Sequence, residues 1–182
     1  MTRAARARAG FALLELALTL GLIGLLIALV VPRLGVIGSA ALDSSARRLA
    51  TRIQFLREEA ALRSGWIRLA IDPESGSFRA ERLVPVAGGA EFVPEDGPLY
   101  RATTLPSPMR LTLEGPAVTT TPDGFRTTVF SPDGYADPAI VWLDDGAGRR
   151  VAIVIEPVAS RPRVLDEADV PTSLASGMGM RG

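Results

Sequence analysis

No cysteine, histidine or lysine occurs anywhere in this chain of 182 residues. Each absence removes a class of chemistry. Without cysteine there is no disulfide, no thiol nucleophile and no lipid-bearing N-terminal cysteine. Without cysteine and histidine together there is no ordinary zinc site and no Ser-His-Asp triad. Without lysine there is no phosphate-cradling P-loop lysine and no Schiff base. Aromatic residues are scarce as well, at 5%. Catalysis by carboxylates or by a lone serine stays open. However, the chain has no GxSxG word, no metal-ligand spacing and no defensible carboxylate pair. The reading is therefore of a non-enzyme with no cofactor, no bound metal and no small-molecule substrate. The lack of disulfides does not settle the compartment, because exported proteins need not use them.

What is present is charge of unusual kind and place. All 20 cations are arginines, and they balance 20 acidic residues. Arg3, Arg6 and Arg8 precede an apolar run of 21 residues, Phe11 to Val31, which carries one charge, Glu15, and which Pro32 closes. As a helix the run measures about 30 Å, the thickness of a bilayer's hydrocarbon core. A secretory signal would be shorter in its apolar part and followed by its cleavage site. Here the small residue, Gly10, lies before the run, so a cut there keeps the helix in the mature protein. The arginines favour a cytoplasmic N-terminus, which sends the rest of the chain across the membrane. An ionisable group inside such a helix costs about 2–3 kcal/mol or more near its centre, so Glu15 calls for a partner. Ala17, Gly21, Gly24 and Ala28 fall at spacings of 4, 3 and 4, a face of small residues that permits close helix approach. Pro32, Gly35 and Gly38 then weaken the helix, and a kink or flexible stretch is expected there.

Gly10 before the cut, Phe11 after it, Glu15 five positions into the mature chain and Pro32 at the far end resemble the class III signal of type IV pilins and type II secretion pseudopilins. That resemblance implies that a membrane aspartyl (prepilin) peptidase cleaves after Gly10 and methylates the new N-terminus at Phe11. Losing three of the 20 arginines leaves 17 against 20 acids, a net charge of −3. The α-amine created at Phe11 is a natural counter-charge for the Glu15 of a neighbouring subunit, offsetting the desolvation of both groups.

Beyond the run, Leu42, Ala46, Leu49, Ile53, Leu56 and Ala60 alternate spacings of 4 and 3 and define one helical stripe. Arg47, Arg48, Arg52, Gln54, Glu58, Glu59 and Arg63 form a polar face read as solvated. Asp43 with Arg47 and Glu59 with Arg63 are i,i+4 pairs, and Gly65 is placed as the C-cap. The stripe is expected to pack on the protein's own sheet rather than on a coiled-coil partner.

Past Gly65 the periodicity turns to that of strands. Ile67–Ile71 and Ser77–Leu83 flank an Asp-Pro-Glu-Ser-Gly turn. The stretch from Val84 to Pro98, with three prolines and three glycines, reads as a loop. Strands follow near 99–103, 109–114, 116–121 and 125–130, then Ala139–Leu143, Arg149–Ile155 and Arg163–Leu165. Pro122-Asp123-Gly124-Phe125 and Pro132-Asp133-Gly134-Tyr135 read as twin β-turns. A calcium site built from Asp123, Asp133, Asp144 and Asp145 is conceivable but lacks EF-hand spacing. With no helical pattern between strands, the sheet is expected to be antiparallel. The fold class is α+β: a pilin-like long N-terminal helix packed on a C-terminal antiparallel domain. The divisions are a leader at 1–10, a transmembrane helix at 11–31, a kink and amphipathic helix at 32–64, a periplasmic β-rich domain at 65–165 and a flexible tail at 166–182.

The order of these parts, with Arg-Leu-Ala at 48–50, Leu-Arg-Glu-Glu-Ala at 56–60 and Phe130-Ser131-Pro132-Asp133-Gly134, resembles the H-type minor pseudopilins of type II secretion. FimT-type minor pilins share that family. The resemblance implies an inner-membrane, single-pass subunit of a periplasmic pseudopilus, partnered by the prepilin peptidase, other minor pseudopilins and the major pseudopilin. The alternative is a minor pilin of a type IV pilus that binds DNA for uptake. The FimT-type tail word Gly-Arg-x-Arg is matched here by Ser160-Arg161-Pro162-Arg163, so Arg161 and Arg163 are the candidate DNA contacts. Serine in place of glycine, the stiff Pro162, the acids that follow and the acidic mature chain argue against nucleic acid.

Overall fold

A computed structural model describes residues 3–158 and 161–171, with side chains described at 15–26, 40–158 and 161–171. The chain divides into two units, Met1–Ser39 and Ala40–Gly182. One helix, α1, covers Arg3–Leu62. Its assignment is unbroken past Pro32, Gly35 and Gly38.

Among the described residues ten strands follow α1: β1 (Ile67–Asp72), β2 (Ser77–Val86), β3 (Gly89–Pro94), β4 (Thr103–Thr104), β5 (Arg110–Glu114), β6 (Thr119–Thr120), β7 (Arg126–Phe130), β8 (Ala139–Asp144), β9 (Arg150–Ile155) and β10 (Arg163–Asp166). They make two sheets rather than one. The first has the order β3-β2-β1-β7-β6, with β4 also on β2, and the second has the order β10-β9-β8-β5. Every pairing is antiparallel, as the succession of strands requires.

The apolar stripe of α1 is the floor of the core. Leu42, Leu49, Ile53 and Leu56 are at most 1% exposed. Each such burial contributes about 1.5–3 kcal/mol. They share one cluster with Ile67, Leu69 and Ile71 of β1 and with Leu111, Leu113, Val141 and Ile153 of the second sheet. Strand β5 lies against β1 and β7, which is where the sheets meet. The other face of β8 and β9 is buried too. Ile140, Trp142, Ala152 and Val154 form a second cluster, against which Leu165 and Val170 pack. Burial on both faces explains why these strands read as continuous apolar runs instead of alternating.

Several expectations need correction. The stretch Val84–Pro98 is not simply a loop, because β2 continues to Val86 and turns back into β3. The prolines mislead there. The Leu83 amide donates to the Trp66 carbonyl at 2.9 Å. Pro85, two residues on, has its nitrogen on the same side but past the start of β1, where no ladder bond is needed. The strand expected at 99–103 shrinks to Thr103–Thr104. The carbonyls of Leu99 and Arg101 are taken by the Arg52 guanidinium, Nε donating to Leu99 at 2.8 Å and Nη2 to Arg101. Arg52 is thus a clamp rather than part of a solvated face. Its guanidinium carbon lies 5.0 Å from the centre of the Phe78 ring, and burial pushes its pKa down. The strand at 116–121 is only Thr119–Thr120. Asp43 reaches Arg149 at 3.0 Å, not Arg47. Glu59 and Arg63 do pair, at 2.6 Å.

At the end of α1 the left-handed residue is Ser64, with φ 48°, and Gly65 follows it. Gly65 N–H donates to Ala60 O at 3.0 Å and Ser64 N–H to Ala61 O at 3.3 Å. This is a Schellman closure with serine where glycine would avoid the Cβ penalty.

Candidate assembly surfaces

In the first unit the described side chains, 15–26, are all exposed. Leu18 is 69% and Leu25 65% exposed, and Ile23 is open as well. Nothing stands within 4 Å of a Cβ built on Gly21 or Gly24, so that flank is open to a close neighbour. Ala17 and Glu15 are exposed in the same stretch. The Thr19 hydroxyl donates to Leu16 O at 2.9 Å, which satisfies the one neutral polar side chain there without water. A helix this apolar all round is a membrane span or the core of an assembly. Among the described residues no helix is long and apolar enough to cross a membrane. The run Phe11–Val31 extends past both ends of the described side chains. Gly10, Phe11, Ala28 and Pro32 are among those whose side chains lie outside the described residues.

In the second unit the functional arginines are those that sequence periodicity ranks as surface or overlooks. Arg57 donates through Nε to Gly134 O at 2.6 Å, through Nη1 to Glu156 O at 3.1 Å and through Nη2 to Pro157 O at 2.7 Å. One guanidinium thus ties α1 to the second twin turn and to the end of β9, and its partial burial lowers its pKa. Five donors in a fixed fork suit arginine to this task. The signal was available as a lone cation next to the apolar stripe, but its acceptors are main-chain atoms 77 to 100 residues away.

The twin turns have matching backbones. Gly124 N–H donates to Thr121 O and Gly134 N–H to Ser131 O, at 2.9 and 3.0 Å. The glycines have φ of 84° and 81°, the left-handed position that closes a type I turn into a bulge. Three of the four aspartates considered for calcium serve turns. Asp133 accepts the Ser131 hydroxyl and the Tyr135 N–H, Asp144 accepts Gly146 N–H, and Asp145 accepts Ala147 N–H and Arg149 N–H. No group of three potential ligands occurs among the described residues.

Arg161 and Arg163 are exposed. Arg163 lies on β10 and sits 3.5 Å from Glu156. The adjacent cations are matched as well, Arg149 to Asp166 and Arg150 to Glu167, each at 2.9 Å. Arg163 of the basic word is thus ion-paired, and acids accompany the arginines of the neighbouring strand.

A family model described as type II transport protein GspH matches residues 45–158. The chain belongs to the GspH family. The match begins within the amphipathic stripe and takes in β1 to β9. Among solved structures, the minor pseudopilin EpsH from the type 2 secretion system of Vibrio cholerae matches at a TM-score of 0.54 and 17% identity, over 70% of this chain and 98% of that one. A crystal structure of the same protein matches at 0.47 and 16% identity, over 65% and 95%. No curated protein matches by sequence. The likeness to EpsH is one of fold, a helix packed with antiparallel sheets. As a GspH-type protein the chain is a minor pseudopilin of type II secretion, a structural subunit that associates with other pseudopilins.

Proposed function

We propose that this GspH-type subunit is held in the bacterial inner membrane by Phe11–Val31, with its N-terminus cytoplasmic and Ala40–Gly182 in the periplasm. The prepilin peptidase removes residues 1–10 by cutting between Gly10 and Phe11, and Phe11 is then N-methylated. Glu15 pairs with the Phe11 amine of a neighbouring subunit. Ala17, Gly21, Gly24 and Ala28 allow the helices to close on each other, with Pro32 marking the end of the span. The observation that carries this reading is the exposed apolar stretch 15–26 with Glu15 as its single charge, on a chain of a pseudopilin family. In lipid that stretch is solvated, but the carboxylate is not, and a subunit-borne amine removes the deficit.

Intact mass of the chain extracted from membranes tests the processing. The expected species lacks residues 1–10 and carries one methyl group. A native chain that still begins at Met1 contradicts it.

A further inference from the structure

The second twin turn does more than reverse the chain. It walls a shallow cavity of about 440 Å³ lined by Trp66, Ser131, Pro132, Asp133, Tyr135 and Asp137. The chain has two tryptophans and two tyrosines. Trp142 and Tyr100 are 4% exposed, whereas Trp66 is 46% and Tyr135 44% exposed. The cavity therefore gathers the open member of each kind.

Among the described residues no ion pair involves Asp133 or Asp137. Hydrogen bonds from Ser131 and Tyr135 hold the Asp133 carboxyl below its ordinary pKa, so it stays anionic. Asp137 is partly desolvated, which raises its pKa. A backbone hydrogen bond from Val129 partly offsets this, but among the described residues no cation neutralises the carboxylate.

The walls are also fixed in advance. Arg57 grips Gly134 O, Ser131 N–H donates to Tyr135 O at 2.9 Å and Ala136 N–H to Pro157 O at 3.0 Å. A turn backbone held this way loses little freedom when a ligand arrives.

We propose that this notch receives an arginine or lysine side chain of a neighbouring pseudopilin, its cationic head against the Trp66 and Tyr135 rings and its charge against Asp137. Aromatic faces attract cations, and the attraction grows as water is excluded. An apolar occupant would satisfy the rings but bury the Asp137 carboxylate unpaired. A metal ion would find two carboxylates and no further ligand. The proposal rests on the chain's working within an assembly of pseudopilins, and it assigns one contact of that assembly.

The test is a titration of the full chain in detergent with acetyl-Gly-Arg-Gly-amide, followed by tryptophan fluorescence. The neutral isostere acetyl-Gly-citrulline-Gly-amide serves as control. Trp142 is buried, so the response reports Trp66. Binding is expected to saturate and to be about five-fold or more tighter for the arginine peptide. Asp137→Asn should erase that preference, and Trp66→Phe should remove the signal. Tyr135→Leu should weaken arginine binding likewise, which covers the case of an Asp137 variant that does not fold. Equal binding of the two peptides, no saturable response to arginine, or an undiminished preference in Asp137→Asn overturns the proposal. A chain that ignores the arginine peptide yet still co-isolates with other pseudopilins loses the notch but not its place as a subunit.

Discussion

Glu15→Ala is expected to lower recovery of the chain with other pseudopilins about ten-fold or more, while cleavage after Gly10 continues. A ten-fold loss needs only about 1.4 kcal/mol of interaction energy. Separating a charge pair in lipid costs at least that, because the abandoned Phe11 amine is left without a partner. The direction of the effect discriminates between roles. If the helix were only an anchor, alanine would make it more apolar, and membrane retention would hold or improve with no other change. Glu15→Gln keeps the size and hydrogen bonding of the side chain and removes the charge. It should behave like alanine if charge is what matters. Unchanged co-isolation in both variants would show that Glu15 needs no amine.

Leu56→Ala is expected to cost about 3 kcal/mol of stability, within the range of fully buried leucine truncations. Leu56 is 0% exposed and lies in the cluster that α1 shares with both sheets. Leu62, six residues on, is 81% exposed, and its replacement by alanine should change stability by about 0.5 kcal/mol or less. Urea unfolding of the detergent-solubilised chain measures both. Against a total stability of about 5–15 kcal/mol, the first change is large and the second negligible. Similar losses for the two would mean that the stripe at residues 42–60 is not the one holding the domain together.

The stripe was legible because burial on a helix repeats with the helical period, and all six of its residues are buried. The strands at 67–72, 77–83, 126–130 and 139–155 were legible from apolar alternation or apolar runs bounded by turn residues. What escaped was decided by partners distant in sequence. Pro85 looked like a strand breaker until its position beyond the start of β1 made its missing N–H irrelevant. Arg52 looked solvated because its acceptors are carbonyls of 99–101. Arg57 went unnoticed because the atoms it holds, on Gly134, Glu156 and Pro157, carry no side-chain signature. Separation into two sheets depends on how β5 lies against β1 and β7, which local pattern does not encode. The Trp66 notch belongs to the same class, since its rings are 69 positions apart in the chain. By contrast, the proposed Gly10–Glu15 signal is local, so it can be put forward from sequence alone.

The most direct test of the assembly account uses the chain's lack of cysteine. A single Ile23→Cys places one thiol on the exposed apolar stretch, and every disulfide formed must then run through it. With a cysteine in the apolar helix of a co-expressed neighbouring pseudopilin, oxidation of membranes is expected to give a mixed disulfide that Glu15→Ala abolishes. A chain that stays monomeric under these conditions, or cross-links equally well without Glu15, would contradict the account.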